Sequence, residues 1–509
     1  MPAQPRLERF EITTACIAAQ KPDSPALIVD DGGRVRRFSF GDLDRLASAA
    51  AGRLVAAGGR PGDRVALILP QGVEFAVALL GALRAGLVAV PISTQFGPDG
   101  LAYRLADSGS SILVADGEGL EKLAAVRDRL DRAPAAVPAG ELANGSGAGT
   151  AARSAGGESP ALIMYTSGST GKAKGVLHAH RAVLGQAPGL AAACELSPPG
   201  ELFWTPSDWP WIVITLLVSW YQGRPVLAAP HRRFDPEWAW SLLGRHPVRV
   251  TFMTPTAVRM LAQARRDPAA GLRLVLSGGE PTGEELVNRC RDGLGAELVG
   301  LYGQTEADLL VGHRPRRWAV PPNAMGRPYP THRLEVVSPD GSAVPPGTPG
   351  ELVLRVPDAA AMLAYWGRPE ATGERIHDGR LWTADEVVAD GDGNLWFKQR
   401  TDDVIKSGGY RVGPGEVEDC LLRHPSVAGA AVIGVPDPVR GQAVKALVQP
   451  ALGVEPGEQL SALLREHLKG SLAGYQVPRV IEFLAELPMT TTGKVDRAEL
   501  RRREAGAAG

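Results

Sequence analysis

The chain has 509 residues, more than one ordinary core accommodates, so two or three folded units are expected. Hydrophobic residues make up 44% and charged residues 22%, a globular composition, and the net charge of -1 excludes a global field that would draw the chain to nucleic acid or to an anionic membrane. The four cysteines, Cys16, Cys194, Cys290 and Cys420, lie far apart without metal-ligand or disulfide spacing, which suits reduced thiols in a cytoplasmic protein.

In chain order, residues 1–10 carry charge but no apolar signal core. The spacing of Leu43, Leu46, Leu54 and Val55 predicts a helix over 41–57, stopped by Gly58-Gly59. A strand over 64–69, a helix over 73–85 and a strand over 87–92 follow, and that alternation predicts a parallel sheet covered by helices. Residues 134–160 are rich in Ala, Gly, Pro and Ser and read as a surface connection. The apolar run 211–220 is too short to span a membrane and reads as a buried element. Past a boundary near 400–403, a helix over 417–423, strands over 430–435 and 443–448, a helix over 460–468 and a strand over 480–484 predict a small α+β unit. The expected fold is a large α/β N-terminal domain, with mixed sheets and helices, over 1–401, and a small α+β C-terminal domain over 402–509.

The densest chemical signal is Thr166-Ser167-Gly168-Ser169-Thr170-Gly171-Lys172-Ala173-Lys174, just after the apolar run 161–164. Glycines let backbone N–H groups approach an anion, hydroxyls add donors, and lysines add positive charge, so the loop is suited to phosphate. It is not a Walker loop, which needs Gly at the position of Thr166 and Ser or Thr at that of Ala173. A Gly- and Ser-rich linker would look similar, but the two lysines and the flanking apolar runs argue against one.

The loop resembles the signature of the adenylate-forming (AMP-binding) superfamily, and the resemblance recurs in family order at Tyr302-Gly303-Gln304-Thr305-Glu306, Trp382-Thr383-Ala384-Asp385, Arg400-Thr401-Asp402-Asp403 and Thr492-Gly493-Lys494. It implies that Thr166, Ser167, Gly168, Ser169, Thr170, Gly171, Lys172 and Lys174 hold the ATP phosphates, and that Gly279-Glu280-Pro281, with Tyr302 and Gln304, receives the nucleotide. It also implies that Thr305 and Glu306 serve the α-phosphate, with Glu306 as the Mg²⁺ ligand, and that Asp385, partnered by Arg400, binds the ribose. Lys494 is then the lysine of adenylation, Arg411 contacts the AMP phosphate, Asp402 is a hinge, and Gly408-Gly409 admits the CoA thiol. The family's Pro, Gly and Gly are replaced here by Ala173, Ala384 and Gln399. His178-Ala179-His180 lacks a third ligand for a metal, and a family His near the acyl and nucleotide site accounts better for His178.

The acyl pocket is assigned to Trp211, Ile212, Val213, Gly278 and Gly303. In acetyl-CoA synthetases a tryptophan at the position of Gly303 closes the pocket, so glycine is expected to remove that wall. The run 435–442 is close to medium-chain acyl-CoA synthetases, and the extra N-terminal segment of acetyl-CoA synthetases is absent. The resemblance therefore implies an AMP-forming acyl-CoA synthetase that uses ATP, CoA and Mg²⁺ on a short- to medium-chain, branched or aromatic acid, without nucleic-acid or membrane partners and compatible with a homodimer. A stand-alone adenylation enzyme loading a separate carrier protein is the alternative, with no fused carrier expected after Lys494. A non-catalytic nucleotide-binding protein is a third, disfavoured because Lys494, Glu306, Asp385 and Arg400 are all retained.

Overall fold

The computed structural model describes residues 7–143, 156–166, 173–231, 234–264, 271–279, 282–400, 405–407, 410–437, 441–469, 472, 474, 476–490 and 494–507. The alternation at the start of the chain builds a seven-stranded sheet in the order Ala364–Tyr365, Gly175–Ala179, Pro160–Tyr165, Val88–Pro91, Arg64–Ile68, Ile112–Ala115, Ala135–Pro138. Arg64–Ile68 is parallel to both its neighbours, as the strand–helix–strand pattern requires. The helix Phe40–Ala56 starts where Ser39 and Asp42 cap each other reciprocally, and it buries Leu43, Ala47 and Leu54. The helix Val73–Arg84 is covered on nearly every face, which is why its sequence is almost uniformly apolar.

A second, nine-stranded sheet runs Arg327–Pro328, Ala307–Gly312, Glu297–Gln304, Leu274–Gly278, Val248–Phe252, Leu202–Trp204, Val226–Ala228, Pro25–Asp30, Val35–Ser39. Its inner strands Val248–Phe252, Leu274–Gly278 and Glu297–Gln304 are parallel, so their carboxyl ends share one edge. The Gly278-Gly279 turn and Tyr302 to Glu306 follow from that edge, the place where open parallel sheets present ligands. A third sheet of Leu334–Val337, Pro349–Arg355, Arg380–Ala389, Ile376–His377 and Leu395–Arg400 is antiparallel and sets Asp385 opposite Arg400.

After residue 400 the chain forms a separate sheet of Ile405–Ser407, Tyr410–Val412, Val427–Asp437, Gly441–Pro450 and Val480–Phe483 with helices Pro414–Leu422, Glu458–Lys469 and Arg497–Ala507. Among the described residues, its hydrophobic clusters contain nothing from before Ile405, and the other four contain nothing from after Leu395. Two apolar cores joined at 396–404 are what two folding units require.

Two expectations need correction. The segment 134–160 is not all irregular: Ala135–Pro138 is an edge strand parallel to Ile112–Ala115, and Ala139–Ala143 is a short helix. Alanines and a single buried valine, Val137, suffice at a sheet edge, so low hydrophobicity misleads there. The run 211–220 is not one element, because Trp209–Trp211 is a short turn of helix before the helix Val213–Tyr221. That helix is a core element, with Trp220 fully buried and its indole N–H donating to Ala26 O at 3.0 Å. No helix among the described residues is long and apolar enough to cross a membrane.

Candidate functional site

Antiparallel pairing of Pro160–Tyr165 with Gly175–Ala179 makes the phosphate-loop sequence a hairpin connection, and Thr166 N donates to Lys174 O at 3.0 Å to close its base. Ser167, Gly168, Ser169, Thr170, Gly171 and Lys172 lie outside the described residues. At the C-terminal end of the loop, Tyr103 OH donates to Ala173 O at 2.6 Å, and the Lys174 ammonium lies 4.9 Å from the centre of the Tyr365 ring. That stacking is worth about 1 kcal/mol and keeps the ammonium beside the loop. The same Tyr365 donates its hydroxyl to Glu306 Oε1 at 2.5 Å. The loop and the Tyr302 to Glu306 segment are thus bridged by one tyrosine.

Glu306 is buried, and Arg375 approaches Oε1 at 3.9 Å. Both contacts fall on Oε1, which leaves Oε2 as a carboxylate oxygen available to a hard cation. Backbone bonds hold the segment: Met362 N donates to Glu306 O at 2.8 Å, and His178 Nε2 lies 2.6 Å from Thr305 O. Burial pushes the His178 imidazole down to about 4, so it is neutral at physiological pH, and a bond to a carbonyl makes Nε2 the protonated nitrogen. His178 Nδ1 is then a buried acceptor without a partner.

A second cluster gathers residues far apart in sequence. Tyr302 OH and Gln304 Nε2 each donate to Asp385 Oδ2 at 2.6 Å, and Arg400 reaches Oδ1 at 3.2 Å. Burial pushes the Asp385 carboxyl up, while Arg400, Tyr302 and Gln304 hold it down, a balance that fixes a charged acceptor in a dry place. Gln304 Oε1 is buried with no partner, an acceptor open to a ligand. Ala384, at the position where the family carries glycine, has a left-handed φ of 58° and donates its N–H to Glu351 Oε1 at 2.8 Å. The glycine of the family pattern therefore has a backbone reason, and alanine here is strained.

The third part of the site joins the two folding units. Gly279 has φ +90°, and a Cβ there would stand 2.8 Å from Lys494 Cε and 3.2 Å from Nζ. Lys494 of the C-terminal unit is thus seated on the turn after Leu274–Gly278, and only glycine admits it. Glu280 and Pro281 of that turn lie outside the described residues.

The acyl-pocket assignments fare less evenly. A Cβ on Gly303 would meet Leu309 N at 2.3 Å and Asp308 Oδ1 at 2.8 Å, and one on Gly278 would meet Leu301 O at 2.5 Å. Neither glycine opens a wall in its Cβ direction, because a neighbouring strand fills that space. Val213 is fully buried in the main core rather than lining a pocket, and Ile212 is nearly so. Trp211 keeps some exposed surface, packs edge-on to Phe96, and has a buried indole N–H without a partner.

Arg411 and Lys406 pair across the antiparallel strands Ile405–Ser407 and Tyr410–Val412; Gly408, Gly409 and Asp402 lie outside the described residues, as does the Arg411 side chain. Sequence reasoning missed Tyr365, Arg375, Gln186 and Asp308. The first three carry no local signal, since an isolated Tyr, Arg or Gln is ordinary. Asp308 carried one: a carboxylate inside the otherwise apolar strand Ala307–Gly312.

A family model described as AMP-binding enzyme matches residues 15–366, and one described as AMP-binding enzyme C-terminal domain matches residues 416–494. The mitochondrial acyl-coenzyme A synthetase ACSM3 of Homo sapiens is 33% identical over 512 residues, covering 96% of this chain and 87% of the relative. The crystal structure of the anthranilate CoA ligase AuaEII in complex with anthranoyl-AMP superposes with a TM-score of 0.89 at 26% identity, covering 99% of both chains. That of a benzoate CoA ligase from Burkholderia xenovorans LB400 gives 0.87 at 25% identity, covering 97% of this chain and 100% of the other.

Proposed function

The chain belongs to the AMP-binding enzyme family, and from that premise we propose that it is an AMP-forming acyl-CoA synthetase. A carboxylic acid and ATP give acyl-AMP and pyrophosphate; acyl-AMP and the CoA thiol then give acyl-CoA and AMP. The observation that carries the reading is Lys494 seated on the Gly279 turn, beside the edge from which Thr305 and Glu306 project. A nucleotide-binding protein without turnover would have no use for a second unit delivering an ammonium to that edge.

The chemical obstacle is an anionic carboxylate attacking an anionic phosphate, so catalysis consists mainly of neutralising charge and fixing geometry. Lys494 supplies positive charge between the attacking carboxylate and the α-phosphate as the acid oxygen bonds to phosphorus and pyrophosphate leaves. Lys174, held on Tyr365, neutralises the departing phosphates. The Thr305 hydroxyl donates to the α-phosphate, with His178 fixing its backbone. Asp385 accepts the ribose hydroxyls, its orientation set by Tyr302, Gln304 and Arg400. Mg²⁺, when bound, would be held by Glu306 with nucleotide oxygens and waters and would neutralise the polyphosphate.

We place the domain boundary at 401/402 with Asp402 as hinge, so that the C-terminal unit withdraws Lys494 and presents Gly408 and Gly409 for thioester formation. The acid is of short to medium chain length, branched or aromatic. The deciding experiment measures acid-dependent pyrophosphate release with ATP and Mg²⁺, with and without CoA. Sustained turnover on adding CoA is expected. Release of about one equivalent, indifferent to CoA, would point to a different acceptor, and ATP binding without release for any acid would overturn the reading.

A further inference from the structure

Position 303 is where the family resemblance puts the wall of the acyl pocket, and here the wall is a carboxylate. Asp308 Oδ1 stands 2.8 Å from the place a Cβ on residue 303 would occupy. Asp308 is half-buried, so its carboxylate stands at the edge of the interior with part of the residue's surface open. Leu309 N donates to Oδ1 at 2.9 Å, and Gln186 Nε2 donates to Oδ2 at 2.5 Å. Among the described residues no ion pair neutralises Asp308, although the Lys494 ammonium lies within electrostatic reach of it.

Gln186 sits on the helix Ala182–Ala193 with 1% of its surface exposed, and its Oε1 is buried without a partner among the described residues. A buried amide oxygen without a donor costs roughly as much as a lost hydrogen bond, so its natural complement is a donor brought by the ligand. The pair therefore offers one half-buried carboxylate and one amide oxygen with no donor among the described residues, both acceptors, within electrostatic reach of the ammonium proposed to meet the substrate carboxylate. A hydrocarbon chain would satisfy neither. A hydroxyl has a single hydrogen to give, whereas an amine has two or three.

We propose that Asp308 and Gln186 together bind an amino group on the carboxylic acid, so that this chain activates amino-substituted acids in preference to their hydrocarbon isosteres. The selectivity rests on the synthetase reading above and concerns the same site. Discrimination should be strong, because a site built to meet a polar group rejects the analogue that leaves its buried acceptors unpaired.

The test uses the full-length protein and the first half-reaction, pyrophosphate release with ATP and Mg²⁺, on isosteric pairs: 3-aminopropanoate with butanoate, 4-aminobutanoate with pentanoate, 2-aminobenzoate with 2-methylbenzoate, and 3-aminobenzoate with 3-methylbenzoate. In at least one pair the amino acid should lead by about tenfold or more in kcat/KM. In D308N, which keeps the shape and removes the charge, that ratio should fall toward one; in Q186L it should fall as well. If the hydrocarbon member leads in every pair, the inference is overturned. If D308N lowers kcat for both members equally and leaves their ratio intact, Asp308 serves Lys494 instead, and the inference is overturned too. Absence of release with every acid would sink the synthetase reading and this inference with it, whereas release without amino preference would sink this inference alone.

Discussion

Two aspartates mark the two sides of the proposed site, and the protein meets their carboxylates to different extents. Asp385, on the ribose side, is met by a tyrosine, a glutamine and an arginine, so the protein itself satisfies its charge. Asp308, on the proposed acyl side, has a glutamine and one backbone N–H, and beside it lies an amide oxygen with no donor among the described residues. The ribose is the same in every turnover, so its receptor can be built complete. An acyl group varies from enzyme to enzyme, and there the structure leaves acceptors for the substrate to fill. Preorganisation falls on the invariant half of the reaction and openness on the selective half.

The largest effect should come from breaking the element both sides share. Lys494→Ala should lower acyl-AMP formation by about a thousandfold while leaving the conversion of supplied acyl-AMP and CoA to acyl-CoA largely intact, as read by separate half-reaction assays. Equal loss in both halves would refute the division of labour between the two faces of the C-terminal unit. Next, Asp385→Ala should strike only the complete side. It takes the acceptor from Tyr302 OH and one bond each from Gln304 Nε2 and Arg400, so kcat/KM for ATP should drop by about a hundredfold, with the ratio between acids unchanged.

The incomplete side should show itself in stability. The Asp308 pKa is raised to about 6 in the folded protein, above its unfolded value. The folded state therefore binds more protons than the unfolded one between those two values, and ionised Asp308 is a cost that is full above its folded pKa and relieved as pH falls. Asp308→Asn should melt about 2 °C above the unsubstituted protein at pH 7.5, with the gap narrowing by pH 5. A gap that widens on acidification would show that Asp308 is instead held ionised by a partner.

The smallest effect sharpens the comparison from the backbone. Ala384 sits at a left-handed φ of 58° next to Asp385. Glycine would release about 1–2 kcal/mol of that strain and return about 0.5–1 kcal/mol through the freer unfolded chain. Ala384→Gly should thus stabilise by roughly 0.5 kcal/mol, seen as a small rise in Tm without a change in acid preference.

Legibility differed by region for physical reasons. Elements with strong apolar periodicity were readable to within a residue or a few: 41–57 is Phe40–Ala56, and 73–85 is Val73–Arg84. The segment 417–423 instead begins at Pro414, because proline suits the first helical turn whatever the apolar pattern says. The pairing of Asp385 with Arg400 followed from the ordered motifs that hold both residues. Gly303 misled, because a glycine in a sequence looks like empty space, while in a folded sheet its missing Cβ is the room a neighbouring strand already uses.

By itself the sequence determined the two-part α/β and α+β organisation and the family to which the chain belongs, because apolar periodicity and short, ordered motifs are local properties of the chain. Only the tertiary structure decided that Lys494 rests on Gly279, that Tyr365 links Lys174 to Glu306, and that Gln186 and Asp308 meet 122 residues apart. Those are contacts between elements, set by how sheets and helices stack, and no spacing along the chain encodes which side chains that stacking brings within reach of one another.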